Sequence, residues 1–300
     1  MISGRIVPIL FRAIAHLPLP LAQGLGAALG GLLSLFPNET RRVARRNIYR
    51  CFPDWSPAQR RRLLRQSLRQ TGRTAAETAA IWLWPLPRVL PQVRAVEGEE
   101  LLQQGMARGR GVIMLSPHLG SWEMAGLYLS VQWGITSMYR PPKLMAMNAL
   151  MQQGRERGGA HLVPTDASGV RALLRTLRQG GMIGILPDQD PERESGVFAP
   201  FFGHPANTMV LLPKLARKSG ATVLFIYAER LPQGRGFRLH IRSAPAGIDD
   251  ADLGRAAASL NQGVEACVRQ LPVQYQWGYK RFKGQPEGEP DFYARDVKDD

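Results

Sequence analysis

Cysteine is scarce in this 300-residue sequence, which contains only two. Cys51 and Cys267 lie far apart, and neither belongs to a C-x-x-C pair. This usage excludes a disulfide framework and a thiolate metal site, and it is typical of a reduced chain that faces the cytosol. A single long-range bridge between the two residues is the alternative that the sequence leaves open.

Several widespread catalytic signatures are also absent. The sequence contains no G-x-x-x-x-G-K-[ST] phosphate loop, no G-x-S-x-G nucleophile elbow and no His/Cys cluster with zinc spacing. Gly109-x-Gly111 precedes an apolar run, whereas a dinucleotide fingerprint follows a strand. We therefore expect neither a metal ion nor a cofactor.

Acidic residues are few. The sequence has 24 Asp and Glu against 39 Lys and Arg, which gives a formal net charge of +15. Such an excess predicts an anionic partner, namely a nucleic acid, an anionic lipid, a phosphorylated substrate or an acidic protein. Composition alone does not choose among them. Hydrophobic residues, at 44%, suffice for a core of ordinary size.

The N-terminal segment is strongly apolar over residues 6–36. Residues 19–36 approach the roughly 20 that are needed to cross a bilayer. Gly26 and Gly30 form a small-xxx-small pair that lets helices approach closely. We predict a membrane anchor over residues 1–36, either spanning the membrane or dipping into it. A helix of the soluble core and a cleaved signal peptide are the alternatives, and the lack of a clear cleavage site argues against the second.

Arginine dominates the sequence that follows the apolar run. Eleven arginines lie between residues 38 and 73, opposed only by Glu39 and Asp54. A basic stretch beside an apolar segment indicates the cytoplasmic side of a membrane. A helix that begins near Ser56 would place four arginines on one stripe at i, i+4 spacing. They are Arg61, Arg65, Arg69 and Arg73. We expect this stripe to contact anionic lipid, with a merely solvated basic face as the alternative.

Short apolar runs and helical patterns alternate in the rest of the chain. The runs predict strands at residues 112–115, 182–186, 223–227 and 237–241. The helical patterns cover residues 166–179, 208–219 and 250–270, with Asp166, Asn207 and Asp249 as caps. This alternation predicts an α/β body with a mainly parallel, mixed sheet flanked by helices. The last two strands would pair as a hairpin through residues 231–236.

These patterns divide the chain into the anchor at residues 1–36 and a main domain at residues 37–300. The main domain comprises a basic helical part at 37–90, an α/β core at 91–285 and a polar tail at 286–300. The division follows composition, because apolar residues dominate first, arginine second, and alternating strands and helices third.

One histidine and one carboxylate stand out in the stretch SPHLGSWE. His118 and Glu123 come directly after the first predicted strand, and catalytic groups gather at the carboxyl ends of strands in α/β sheets. A carboxylate beside an imidazole fixes the tautomer of the ring. Such a histidine can take the proton of a hydroxyl while the oxygen attacks a thioester, without an enzyme nucleophile or a metal. We therefore predict His118 and Glu123 as the catalytic pair.

A second pair, His161 and Asp166, has the same H-x-x-x-x-[DE] spacing. Spacing alone is weak evidence, because a chain of 300 residues with five histidines and 24 acidic residues would contain roughly 0.4 such matches by chance. Asp166 is explained as a helix cap, and Pro164 interrupts the stretch. His118 has the better structural setting, so we favour the first pair.

Further ordered blocks extend the pattern along the whole chain. They are Asn47–Pro53 (NIYRCFP), Ser116–Glu123 (SPHLGSWE), Tyr139–Lys143 (YRPPK), Ile185–Asp190 (ILPDQD), Val197–Gly203 (VFAPFFG) and Gln274–Lys283 (QYQWGYKRFK). Arg155 and Arg157 lie in an R-x-R-x-G-type segment. Together the blocks resemble those of the bacterial lipid A biosynthesis (late) acyltransferases, the lauroyl and myristoyl transferases. One departure is Tyr279, where many members have histidine.

The resemblance implies a glycerolphosphate-acyltransferase-like fold and an acyltransferase domain at residues 37–300. It implies transfer of a fatty acyl chain from acyl-acyl carrier protein to a hydroxyl of a phosphorylated glucosamine lipid, a lipid A precursor in lipopolysaccharide biosynthesis. The reaction would take place at the cytoplasmic face of the bacterial inner membrane. His118 would be the base and Glu123 its orienting partner.

The resemblance also implies further site residues. The expected substrate-binding positions are Arg140, Arg155, Arg157 and Asp188. Arg155 would hold a phosphate or the developing oxyanion. Asp188 would position the dyad or the substrate, and capping of the loop after a strand is its alternative role.

The basic excess then fits anionic headgroups, lipid A phosphates and the acidic carrier protein, and we expect no nucleic acid. An acyltransferase for another membrane glycolipid, aminolipid or lysophospholipid is the first alternative. The second, of another class, is a non-enzymatic basic protein that binds membrane or nucleic acid. That alternative leaves the blocks SPHLGSWE and ILPDQD unexplained.

Overall fold

A seven-stranded sheet forms the centre of the protein in a computed structural model that describes residues 2–142, 144–191 and 193–294. Lys143 of the YRPPK block and residues 295–300 of the predicted polar tail lie outside the described residues. The strands are β1 Val93–Glu97, β2 Val112–Leu115, β3 Thr136–Tyr139, β4 His161–Pro164, β5 Met182–Ile185, β6 Gly196–Phe201, β7 His204–Met209, β8 Thr222–Arg230 and β9 Phe237–Ser243.

Helices cover both faces of this sheet. They are α1 Ile2–Ala15, α2 Leu19–Leu33, α3 Glu39–Cys51, α4 Pro57–Leu83, α5 Leu86–Val89, α6 Glu99–Ala107, α7 Trp122–Trp133, α8 Asn148–Glu156, α9 Ala167–Arg178, α10 Leu211–Ser219 and α11 Leu253–Gln270. Helix α4 begins where the sequence predicts, because the Ser56 side chain caps it and Gln59 completes a capping box.

The strands follow the order β1-β9-β8-β2-β5-β3-β4. Strands β8 and β9 are antiparallel and form the hairpin predicted from the sequence, whereas the other neighbouring pairs are parallel. Strands β6 and β7 form a separate antiparallel ribbon. The sheet is therefore mixed and flanked by helices, as the alternation of sequence patterns predicts.

The core is divided by the sheet into two clusters of apolar side chains. Alternate residues of β2 belong to opposite clusters, with Ile113 and Leu115 in one and Val112 and Met114 in the other. This alternation follows from the pleat of a strand, which turns successive side chains to opposite faces. All four residues are buried, so β2 lies between the two clusters and contributes side chains to both.

The parallel pairing of β2 with β5 matters most for the site. Leu115 lies opposite Ile185 in the register of this pair. His118 and Asp188 each follow that pair by three positions, at the same carboxyl edge of the sheet. Because the carboxyl ends of adjacent parallel strands meet, the register brings these two residues together.

The predicted membrane anchor at residues 1–36 was wrong. The apolar run folds as two helices, α1 and α2, of 14 and 15 residues, with the break at Pro18. Within the described parts of the chain, no helix is both long and apolar enough to cross a membrane. The Gly26 and Gly30 face of α2 instead packs on α4, where an added Cβ would collide with the backbone of Gly72 and Leu68.

Two predicted helix starts also differ from the structure. Helix α10 begins at Leu211 rather than residue 208, because Asn207 lies in β7 and its amide donates to Asp190 Oδ1 and the Pro191 carbonyl. Helix α11 begins at Leu253, since Asp252 rather than Asp249 accepts from the backbone of the first turn. The two cysteines are buried and unbridged, which confirms the reading of free thiols.

Candidate active site

The loop after β2 carries His118 and is held by the QYQWGYKRFK block. Gln276 N–H donates to the His118 carbonyl oxygen at 3.0 Å, and Gly120 N–H donates to the Gln274 carbonyl oxygen at 3.1 Å. Gly120 has a φ of +62°, and a Cβ there would collide with the carbonyl oxygen of Ala228. Only glycine fits this close approach, so the loop geometry depends on it.

Asp188 binds His118 at two atoms. The backbone N–H of His118 donates to Asp188 Oδ2 at 3.0 Å, and the ring Nδ1 lies 2.8 Å from Oδ1. Both residues are buried, with 8% of His118 and 3% of Asp188 exposed. An ionised carboxylate can only accept, so Nδ1 carries the hydrogen and donates it. In the neutral ring, Nε2 is then left with its lone pair.

Gln189 contacts that second ring nitrogen. Its side-chain Nε2 lies 3.1 Å from His118 Nε2, and because Nδ1 carries the ring hydrogen, the amide donates to the lone pair. Gln189 is exposed, so a substrate group can reach this position. Our sequence analysis missed Gln189, although its place beside Asp188 in the ILPDQD block was a usable signal.

Glu123 is bound by Arg155 and Trp82. Arg155 donates to both carboxylate oxygens, from Nε at 3.1 Å and from Nη2 at 2.5 Å, and Trp82 Nε1 donates at 2.8 Å. Among the described residues, no hydrogen bond joins Glu123 to His118. The His118 ring instead meets the Trp122 ring edge-on, with 5.0 Å between their centroids. The structure therefore gives the ring a carboxylate partner, and this partner is Asp188.

Both carboxyl groups are held ionised. Burial by itself raises the pKa of Glu123, but the Arg155 charge and the hydrogen bonds from Arg155 and Trp82 outweigh it, and the pKa is lowered. His118, when it is protonated, contributes to the same lowering. Burial likewise raises the pKa of Asp188, and its interactions with His118 reverse the effect. Two negative charges thus act on one imidazole, Asp188 by direct contact and Glu123 through space.

An apolar cavity opens beside these groups, between α7 and the strands β2, β3 and β5. Glu123 and Arg155 are the charged residues of its wall, and Ser116, Ser130 and Ser137 are its hydroxyl residues. The remaining wall is mostly apolar and includes Trp82, Met114, Leu127, Leu129, Ile135, Met138, Leu162, Ile185, Leu186 and Ile226. Such a wall suits a hydrocarbon chain, with the charged groups at one end.

Arg157 and Arg140 do not line this cavity. Arg157 donates to the carbonyl oxygens of Ile81 and Trp84 at the C-terminal end of α4, so its guanidinium is used in the fold. Arg140 is exposed in the loop after β3. Asp166 accepts from the backbone of Ser168 and Gly169 as the cap of α9, which confirms its interpretation as a cap.

The arrangement is suited to general base catalysis. A buried imidazole has one nitrogen fixed as a donor to Asp188 and the other available as an acceptor. Among the described residues, no group of three or more His, Cys, Asp or Glu side chains is placed to bind a metal ion. The chemistry that these residues offer is proton transfer beside an apolar cavity.

Known proteins resemble this chain over most of its length. A family model described as bacterial lipid A biosynthesis acyltransferase matches residues 4–284. The lipid A biosynthesis lauroyltransferase of Escherichia coli is 30% identical over 283 residues, which cover 93% of this chain and 91% of the relative. The palmitoleoyltransferase of the same organism is 31% identical, with 93% and 90% covered. Its myristoyltransferase is 26% identical, with 90% and 83% covered.

Proposed function

Since this chain belongs to the bacterial lipid A biosynthesis acyltransferase family, we propose that it moves an acyl chain from acyl-acyl carrier protein to a hydroxyl of a lipid A precursor. The observation that carries the proposal is the pair of contacts on His118. Asp188 fixes the hydrogen on Nδ1, Nε2 accepts from Gln189, and the ring meets Trp122, which lines the apolar cavity. Family membership makes the chain an acyltransferase and sets aside a purely binding protein.

The proposed reaction uses His118 as a general base. The acceptor hydroxyl displaces the Gln189 amide, and Nε2 takes its proton while the oxygen attacks the thioester carbonyl. A carbon–oxygen bond forms and the carbon–sulfur bond breaks. The proton then passes from Nε2 to the leaving thiolate, so the ring returns to its neutral form. Asp188 holds the ring in one orientation throughout.

Glu123 is proposed as the second member of the pair, acting through its charge. It stabilises the imidazolium that forms during transfer, while Arg155 and Trp82 keep it ionised and fixed. The Arg155 side chain is 28% exposed and lines the cavity. The exposed part of the guanidinium supports a second role for Arg155, which is to bind a phosphate or the developing oxyanion.

The proposed partners are the acyl carrier protein, a phosphorylated glucosamine lipid and the anionic inner membrane. Exposed arginines of α4, among them Arg61, Arg65 and Arg69, support contact with acidic or phosphorylated partners. Arg140 is a candidate for the acceptor phosphate, because it follows β3, one of the strands that wall the cavity. We place the reaction at the cytoplasmic face of the bacterial inner membrane, where a soluble donor meets a lipid acceptor.

The test is acyl transfer from lauroyl- or myristoyl-carrier protein to a tetra-acylated lipid A precursor by the full chain. His118→Ala should lower the rate by about 10²- to 10⁴-fold, the usual contribution of a general base. His161→Ala is the matched control, because that histidine is exposed in β4 and should leave the rate unchanged. Full activity of His118→Ala would contradict the mechanism. Transfer to a lysophospholipid or aminolipid alone would replace the proposed acceptor.

A further inference from the structure

We propose that Gly126 sets the length of the acyl chain that this enzyme accepts. The inference rests on the proposed function, in which the cavity beside Glu123 receives the acyl chain of the donor. Gly126 lies in α7 and lines that cavity. An added Cβ at this position would meet no atom within 4 Å. A side chain there would therefore extend into space that the acyl chain needs.

The cavity runs along one face of α7. Trp122, Gly126 and Ser130 line it at intervals of four residues, which places them above one another on the same face. Trp122 contacts the His118 ring, so this end is near the reacting groups. Ser130 lies about 12 Å further along the helix. Gly126 is halfway between them, where a side chain would divide the cavity into a near and a far part.

The other glycines of the cavity wall have a different reason to be glycine. A Cβ at Gly154 would lie 2.5 Å from Cγ of Trp82. A Cβ at Gly184 would lie 2.7 Å from both Ile135 Cδ1 and Ser137 Oγ. At Gly154 the obstacle is the Trp82 side chain, and at Gly184 it is the ends of two side chains, so a side chain at either position would displace other residues of the protein. Gly126 has no such neighbour, and the space over it belongs to the cavity.

Backbone geometry does not require glycine at position 126 either. The residue lies inside a regular helix and is not among those with positive φ. Glycine weakens a helix interior relative to alanine, so it is unfavourable here for α7 alone. The free space over the residue accounts for a glycine that neither packing nor backbone conformation requires.

The relatives are named for acyl chains that differ from one another. The three relatives from Escherichia coli are named for lauroyl, palmitoleoyl and myristoyl groups. The acyl group in these names differs although all three relatives are similar to this chain over at least 90% of its length. Individual residues in the cavity wall can account for such differences, since one methylene in an apolar pocket changes selectivity measurably.

The experiment compares donors of different length on the full chain. Carrier protein loaded with decanoyl, lauroyl, myristoyl or palmitoyl groups is offered to the wild type, Gly126→Leu and Gly126→Ala. The ratio of transfer rates for the longest and shortest donors should fall by at least about tenfold in Gly126→Leu. It should fall by a smaller factor in Gly126→Ala. Gly24→Leu is the matched control, because Gly24 is an exposed glycine of α2 with open space above it and lies outside the cavity.

The outcomes separate the inference from the proposed function. A donor preference unchanged in Gly126→Leu, or shifted towards longer chains, would overturn the role of Gly126 while leaving acyl transfer intact. If Gly126→Leu does not fold, as shown by thermal unfolding, an unchanged preference in Gly126→Ala counts equally against the role. A wild type that transfers none of the four chains would contradict the proposed function itself.

Discussion

Two glutamate–arginine pairs are buried in the part of the chain that the structure describes, and one of them, Glu123–Arg155, lines the cavity beside α7. Glu77 and Arg230 approach to 2.5 Å with side chains that are 0% and 1% exposed. Glu123 and Arg155 approach to the same distance, but 28% of the Arg155 side chain is exposed. The chemical groups are identical in the two pairs, so the difference between them must lie in their surroundings.

The Glu77–Arg230 pair is enclosed by hydrogen-bond partners. Gln23 of α2 donates to Glu77, and Arg230 also donates to the carbonyl oxygen of Gly120 in the His118 loop. Further Arg230 bonds reach Gln70, Thr74 and Gln274. These contacts join α2, α4, the sheet and the His118 loop. A pair with its groups satisfied in this way supports the fold, whereas a pair that faces a cavity can act on a substrate.

Among the expected effects on stability, that of Glu77→Gln is the largest. Loss of the carboxylate leaves Arg230 charged and buried without its counter-ion, which costs about 3–5 kcal/mol. Denaturant unfolding of the variant measures this change. At a temperature where the variant remains folded, the acyl-transfer rate should stay close to that of the wild type. A small loss of stability would show that the pair does not support the fold.

Glu123→Gln should lower the acyl-transfer rate more than it lowers the stability. Arg155 reaches solvent and keeps part of its hydration, so we expect a smaller loss of stability than at Glu77. The acyl-transfer rate should fall by about 10²-fold, because the imidazolium loses a stabilising charge. Measuring both quantities on both variants sharpens the comparison. Equal effects of Glu77→Gln and Glu123→Gln on the rate would contradict the distinction between a pair that supports the fold and a pair that acts in catalysis.

Protonation of the two buried carboxylates of the site should lower the free energy of unfolding in acid. The pKa values of Glu123 and Asp188 lie below their ordinary values of 4.5 and 3.8. Their contribution to stability is therefore fully present above those ordinary values and is lost as the pH falls through the lowered pKa values. The unfolding free energy, measured from about pH 6 to about pH 2, should fall less steeply in a Glu123→Gln/Asp188→Asn variant than in the wild type. Parallel curves would argue against these shifts.

The smallest expected effect concerns Gln189. A carboxylate in Gln189→Glu would hold a proton on His118 Nε2, so the acid side of the pH–rate profile should move to higher pH by about one unit. Activity should recover at alkaline pH, which a merely misfolded variant would not show. Gln189→Leu removes a hydrogen bond to the unprotonated nitrogen without adding charge, so it should move the profile in the same direction by a smaller amount. Identical profiles for both variants would exclude contact with Nε2.

Local signals explain which parts of the fold are predictable from the sequence. Strand β2 is a continuous apolar run, β8 contains one at residues 223–227, and α4 and α9 have capping residues in the sequence. Strands β1 and β4 are short and partly exposed, so they carry no comparable pattern. The apolar run at residues 6–36 suggested one membrane helix because its apolar composition continues through Pro18, whereas the chain forms two helices there and packs Gly26 and Gly30 on α4.

The site is predictable in its position and less so in its contacts. His118 follows a buried strand, which marks it from the sequence. Its contact with Asp188 depends on β2 and β5 being parallel neighbours in one register, and no local pattern encodes that pairing. Likewise, the sequence does not show that Arg155 binds Glu123 while Arg157, two positions later, binds the carbonyls of α4. The structure is needed to distinguish these two arginines.

The most direct test of the central claim is the acyl-transfer rate of Asp188→Asn. Asp188 offers one oxygen to each of two N–H donors on His118, and an asparagine has only one oxygen to give. Its amide N–H₂ must then face either the backbone N–H or the ring, and the second arrangement moves the ring hydrogen to Nε2. We predict a loss of about 10³- to 10⁴-fold in a folded protein. A rate within a few-fold of the wild type would contradict the claim that Asp188 keeps His118 in the form that acts as the base.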